Sequence, residues 1–198
     1  MKKNFEPLIS HPFKAGSGFA RPTQVLSQNV KLGDPAVNVM TDLRSVSVVN
    51  VRTMTRLDKA NAKMIRYGVR TLLVLDDSEK VTGVLTATDV LGDKPVRFLQ
   101  EMGGTHADIL VRDVMTVQRD LEVLKLDDVL DAKVGDILAT LKVAGRQHAM
   151  VVEENEDGSH NVRGLFSATQ IARQMGVQIN TAEVVKVFAE IEAAVGSH

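Results

Sequence analysis

Aliphatic residues recur in short runs separated by polar turns, and the spacing inside the runs alternates between strand and helix periods. VVNV, Val48 to Val51, reads as a short strand. Leu57, Ala60, Asn61, Met64 and Ile65 fall at helical spacing and make one apolar face broken only by Asn61. Gly68 stands where a C-terminal cap ends such a helix. TLLVLD, Thr71 to Asp76, predicts a buried strand, DSEK a turn and VTGVLT the next strand, with a helix after Asp89. The predicted order is strand, helix, strand, strand, helix.

The same order then returns. VMT at Val114 to Thr116 echoes VMT at Val39 to Thr41, and LEVLKL, Leu121 to Leu126, alternates as a strand. Val134, Ile137, Leu138 and Leu141 form a helix face that Gly145 ends, as Gly68 did. HAMVVE, His148 to Glu153, matches TLLVLD, and GLFSATQ, Gly164 to Gln170, matches GVLTATD, Gly83 to Asp89. The spacing between copies drifts from 75 residues (39 to 114) through 77 (68 to 145) to 81 (83 to 164). Two small insertions at turns account for it, at Asp127-Asp128 and within ENEDGSHN. An internal repeat of this quality is the strongest signal in the chain. A unit of about sixty residues is marginal alone, so the two copies are expected to pack sheet against sheet around a shared core.

The remaining segments fit around the repeats. Residues 1–36 are rich in proline, glycine and lysine and predict a basic, flexible tail, whose Phe5, Phe13 and Phe19 would pack on the body or on a partner subunit. The first repeat covers 37–92 and a connecting segment 93–108, with Pro95 near a helix start and the breaker Gly103-Gly104. The second repeat covers 109–176. Over 177–198, Thr181 is placed to cap a closing helix with Val184, Phe188, Ile191 and Val195 on one face.

Chemistry concentrates at GVLTATD. Gly83 interrupts an aliphatic strand where a side chain would block the close approach of a backbone or a ligand. Thr86, Thr88 and Asp89 crowd the point where strand gives way to helix. Alone, such residues read first as an N-cap. A carboxylate at this junction can also accept two hydroxyls of a ligand, in charge-assisted bonds worth roughly 1.5–3 kcal/mol. The second copy keeps the hydroxyl, Ser167, but carries Gln170 where the acid stood.

Composition narrows the function. The chain has 198 residues, 44% hydrophobic and 25% charged, with net charge −1. It therefore has no bulk attraction for nucleic acid or anionic lipid. The absence of cysteine removes thiol chemistry and suits a reducing compartment. No apolar run approaches the ~18–20 residues that span a bilayer, and the first residues lack the apolar core of a secretory signal, so a cytoplasmic protein without a membrane partner is expected. The five histidines show no metal-ligand spacing. No nucleophile elbow, Walker loop or dinucleotide fingerprint occurs, so no enzyme activity is expected.

The paired repeat, with VMT before each first strand and G-x-x-[ST]-x-x-D after the third, resembles the cystathionine-β-synthase (CBS) domain pair, or Bateman module, over roughly Val37 to Met175. The resemblance implies an α/β fold of two tandem β-α-β-β-α repeats related by a pseudo-twofold axis, with two clefts between them and pairing into a homodimer. It implies a regulatory module with no required cofactor that takes an adenosine-containing ligand such as AMP, ADP, ATP or S-adenosylmethionine and signals to a separate effector protein. On this reading Asp89 binds the ribose with help from Thr86. Val49, Val51, Leu72 and Leu73 are adenine walls or, equally, plain core. Arg70 and His148, at the openings of the paired second strands, reach the phosphates or else are an ordinary surface arginine and strand-start histidine, with Arg146, Arg97 and Arg173 in reserve. Ser167 and Gln170 make a weaker or empty second cleft, short of the first by about 1–2 kcal/mol. The rival expectation is a dimerisation or scaffold module with degenerate, empty clefts. Nucleic-acid binding through the basic tail is the weakest reading, since aromatic interleaving is not convincing there.

Overall fold

Both repeats fold in the predicted order, but the short segments that open them change places. The computed structural model describes residues 24–179 and 184–195. A 3₁₀ turn over Ala36–Val39 leads into strand β1 (Thr41–Asp42). The first repeat follows as β2 (Asn50–Arg52), α1 (Leu57–Tyr67), β3 (Thr71–Leu75), β4 (Val81–Thr86) and α2 (Ala87–Leu91). The connection is helical, with α3 (Lys94–Met102) and α4 (Val111–Val114), and ends in β5 (Thr116–Val117). The second repeat runs β6 (Val123–Lys125), α5 (Leu126–Asp131), α6 (Val134–Val143), β7 (His148–Glu154), β8 (His160–Ser167) and α7 (Ala168–Gln174), and α8 (Val184–Val195) follows.

The strands form two four-stranded sheets, β2-β3-β4-β5 and β6-β7-β8-β1. Their pairings correspond step for step: β2 and β6 lie parallel to β3 and β7, and the hairpins β3–β4 and β7–β8 carry the same irregularity, after Val74 and after Val151. The edge strands are exchanged. β1, which precedes the first repeat, pairs with β8 of the second, and β5, which precedes the second, pairs with β4 of the first. The backbone leading into each follows: Ala36 N–H donates to Ala132 and Val134 N–H to Asp34, while Leu57 N–H donates to Ile109 and Val111 N–H to Thr55. Each VMT segment therefore completes the other copy.

This exchange explains the glycine in each motif. A Cβ at Gly83 would stand 2.5 Å from the Thr116 carbonyl oxygen, and one at Gly164 would meet the Met40 side chain at 2.6 Å. The close approach is by the backbone of β5 at Gly83 and by the methionine that precedes β1 at Gly164.

Three apolar clusters hold the fold. Val51, Leu57, Met64, Leu72, Leu85 and Ile109 lie behind the first sheet, and Val39, Val134, Leu141, Phe166, Ile171 and Phe188 behind the second. Between the sheets, Leu73, Leu75 and Val84 meet Met150, which is the shared core expected from the repeat. Gly68 and Gly145 both take left-handed φ, 64° and 62°, and end the matching helices α1 and α6 as expected.

Several expectations shift. The strand anticipated at 48–51 lies at 50–52, and LEVLKL pairs only over Val123–Lys125. Ile65 is 74% exposed: the buried stripe of α1 is Leu57, Ala60 and Met64, and Ile65 lies one helical step beyond it. The insertion at Asp127-Asp128 builds helix α5 rather than lengthening a turn. Residues 24–36 are no free tail. Val30 is buried, and Gln174 Nε2 donates to the Ser27 and Asn38 carbonyls at 2.9 and 3.0 Å, strapping this segment to α7. On α8, Val187, Phe188 and Ile191 are buried against the second repeat. The predicted packing of Phe5, Phe13 and Phe19, the Thr181 cap and the Val184 side chain lie outside the described residues.

Candidate functional site

The chain turns from β4 into α2 at Thr86, whose extended backbone (φ −106°, ψ 162°) makes it the N-cap. The helix begins at Ala87, so Asp89 is its third residue rather than the residue before it, and the two side chains close a capping box. Thr86 N–H and Oγ1–H each donate to Asp89 Oδ2 at 2.7 Å, and Asp89 N–H donates to Thr86 Oγ1 at 3.2 Å. The cap occupies one carboxylate oxygen. The other, Oδ1, lies 2.6 Å from Lys94 Nζ, and Asp89 as a whole is 7% exposed. A carboxylate so placed is buried, charge-paired and fixed in direction.

Asp89 lines a cavity of about 230 Å³ between the repeats. One wall is Thr71, Val84, Thr86 and Thr116 of the first sheet and its exchanged edge; the other is the strand opening Arg146 to Met150, with Leu165. The volume is somewhat under the roughly 300 Å³ at which small-molecule pockets begin, so it suits part of a nucleotide with the remainder outside. Thr71 and His148 open equivalent strands of the two repeats, and both line this one cavity. Thr71 Oγ1 is buried without a hydrogen-bond partner among the described residues. His148 is lowered to about 4, by burial first and then by the Arg70 charge, against the opposing pull of Asp89. It is therefore a neutral imidazole at pH 7, able to donate from one ring nitrogen and accept at the other. At the cavity edge Arg146 pairs with Glu122 at 3.3 Å.

The second junction is built differently. Ser167 is the N-cap of α7 but makes no side-chain cap bond. Gln170 turns instead to the exchanged strand, its Nε2 donating to Thr41 Oγ1 at 3.3 Å. Five residues past Gln170, where the first repeat has already turned into α3 at Lys94, Met175 ends α7 and packs at the edge of the second core. Acid and amine are thus both missing from the second copy. Neither Ser167 nor Gln170 lines the cavity at Asp89.

Of the residues singled out from sequence, the cavity gathers Asp89, Thr86, Thr88 and His148, together with the reserve Arg146. Strand alternation separates the apolar candidates. Thr71 faces the cavity, so Leu72 turns to the helix side, where it is fully buried with Val51, and Val49 packs at the margin of that same cluster. Leu73 faces between the sheets beside Met150 without lining the cavity. Arg70 is exposed and acts there through its charge on His148. Arg97 pairs with Asp93, and Arg173 lines a separate groove by α7. Thr71, Thr116 and Met150 are the cavity residues that sequence reasoning missed, as it missed Lys94, which reaches Asp89 from a neighbouring groove without lining the cavity. Thr71, Thr116 and Met150 stand in TLLVLD, VMT and HAMVVE, stretches that mark the repeat, and alternation counted back from Leu73 would have turned Thr71 toward the other copy.

Among the described residues, no group of three or more His, Asp or Glu could hold a metal, and no helix is long and apolar enough to cross a membrane. A model of the CBS domain family matches residues 36–93. The chain is similar to an uncharacterized conserved protein from Pyrococcus horikoshii, with 22% identity and a TM-score of 0.53 over 77% of this chain and 99% of that one. It is similar to a conserved CBS domain protein of unknown function from Thermoplasma acidophilum, with 18% identity and a TM-score of 0.50 over 76% of each chain. CBSX2 of Arabidopsis thaliana, in complex with AMP, is 23% identical with a TM-score of 0.49, over 71% of this chain and 95% of that one. No curated protein matches the chain.

Proposed function

The chain carries a CBS domain and folds as a tandem CBS pair, and we propose that it is a regulatory module that binds an adenosine-containing ligand in the cleft at Asp89. The observation that carries this reading is a buried carboxylate on the wall of an inter-repeat cavity, fixed through Oδ2 by its own helix cap. Its other oxygen, together with the orphan hydroxyl of Thr71 and the neutral ring of His148, offers a ribose and a base a mixed set of acceptors and donors. Arg70 and Arg146 would meet phosphates at the open side. The ligand is AMP, ADP, ATP or S-adenosylmethionine, bound once per chain, because the second junction lacks the acid. Signalling runs through a homodimer to a separate effector. Ile65, Tyr67 and Leu91, on or beside the ends of α1 and α2 and 74%, 55% and 70% exposed, supply apolar surface for such pairing. A cysteine-free chain of this kind suits the cytoplasm.

The test is calorimetric titration with each of the four ligands, beside Asp89→Ala and the size-preserving Asp89→Asn. Binding near one ligand per chain, lost in both variants, is the expected result. Absence of heat from every ligand at millimolar concentration rejects the reading, and full binding by both variants moves the site elsewhere. Sedimentation of the wild-type protein tests the dimer.

One observation favours a second reading, a scaffold with empty clefts. Asp89 Oδ1 is already paired with Lys94, and Gln170 with Thr41, so neither junction needs a ligand to satisfy it. The same titration separates the two.

A further inference from the structure

Lys94 opens α3, the helix that leaves the first repeat toward the second. Its ammonium lies within reach of three acceptors: Asp89 Oδ1 at 2.6 Å, the Val114 carbonyl at 3.1 Å and Thr116 Oγ1 at 3.4 Å. Those three belong to α2, to the end of α4 and to the exchanged strand β5. An ammonium has three donors, so all are used. The lysine side chain is 41% exposed while Asp89 is 9% exposed by side chain, so water reaches the amine but barely the carboxylate.

Resting on the proposed ligand site, we propose that Lys94 is the resident counterion of Asp89, which a ligand diol displaces, and that its release passes occupancy to α3. The steps follow from the valences at one carboxylate. Thr86 holds Oδ2 through two short bonds that also cap α2, and these stay if the helix is to stay. A vicinal diol donating twice must therefore use Oδ1, where the amine now sits. Once displaced, Lys94 loses its charged partner and keeps only neutral oxygens of the Val114–Thr116 segment. The link from α2 to α3 opens at the same moment. In the second repeat the acid is Gln170, and α7 runs on to Met175 where the first repeat has already started α3 at Lys94.

The experiment uses adenosine, which has the diol but no phosphate, so attraction of lysine for phosphate does not enter. Lys94→Met removes the charge at similar side-chain length, and Lys94→Arg keeps it. Adenosine should bind Lys94→Met roughly three- to tenfold more tightly than wild type, the size expected for removing one partly exposed ion pair. Lys94→Arg should stay near wild type. Hydrogen exchange over residues 94–102 should rise in wild type on saturation with adenosine and be already raised in ligand-free Lys94→Met. Equal or weaker binding by Lys94→Met, or unchanged exchange in its ligand-free form, overturns this inference and leaves the ligand site standing. No binding of adenosine or of any of the four adenosine-containing ligands by wild type overturns both.

Discussion

Gly83 and Thr116 lie so close that a Cβ on the glycine would stand 2.5 Å from the threonine carbonyl oxygen, with the Met115 sulfur 3.2 Å away. The glycine is the seat of an exchanged strand, and its neighbour is backbone, which cannot move aside without breaking the β4–β5 pairing. Gly83→Ala should cost about 1–3 kcal/mol, the range for overpacking. Gly164→Ala should cost less, because the nearest atoms there are the Sδ and Cγ of the Met40 side chain rather than backbone, and the Thr41 carbonyl is 3.0 Å off. Urea unfolding of both variants checks the order, and a larger loss at Gly164 would contradict it.

Asp42 and Arg163 fasten the other exchanged strand, β1, to β8. The guanidinium meets both carboxylate oxygens, Nη2 to Oδ2 at 3.0 Å, and both side chains are largely withdrawn from water. Burial works to raise the Asp42 carboxyl, but the Arg163 guanidinium and the Arg44 N–H outweigh it and hold the group below its ordinary range. The carboxylate is thus favoured in the fold, so its contribution is full above the ordinary value of 3.8 and is lost as pH falls through the depressed one. Asp42→Asn should lose about 1–3 kcal/mol at pH 7 and should lessen the fall in stability at low pH. Denaturant unfolding of both proteins across the acid range measures both effects.

His148 titrates in a separate window. Its folded value is about 4 against an ordinary 6.5. Between those values the unfolded chain binds a proton that the folded chain refuses, so stability rises with pH across the window and falls as pH drops from 6.5 toward 4. The contribution is at most about 3 kcal/mol. His148→Gln should flatten the profile between pH 4 and 6.5 while leaving the Asp42 limb below it. By the same reasoning, a ligand that uses the neutral ring should bind with little pH dependence between 6.5 and 8. A steep change in affinity there would mean the ring is charged in the complex.

Elements that repeat were legible in the sequence, and contacts between the copies were not. The helix face of α6, the glycine ends of α1 and α6 and the hairpins β3–β4 and β7–β8 each follow from local periodicity, read twice. The strand exchange leaves only VMT as a trace, because pairing β1 with β8 joins residues more than a hundred positions apart. Asp89 could be picked out because its motif recurs with one change. Lys94 could not, since a lysine near a helix start is unremarkable until the carboxylate is seen 2.6 Å from it. The resemblance leaves Val51 and Leu72 open as cleft walls or plain core. Strand parity, fixed by Thr71 facing the cavity, sends Leu72 behind the sheet, and parallel pairing seats Val51 in the same core.

The two junctions also predict how a second site could be made. Gln170 occupies the same helical position as Asp89 and Ser167 the same N-cap as Thr86, while Met175 ends α7 against the second core where the first repeat has already turned into α3 at Lys94. Gln170→Asp would place a carboxylate where Ser167 can cap it, with no resident amine beside it. If the acid is what separates a working cleft from an idle one, AMP titration should rise from about one to about two ligands per chain. Stoichiometry that stays at one in Gln170→Asp would assign the difference between the clefts to shape, not charge.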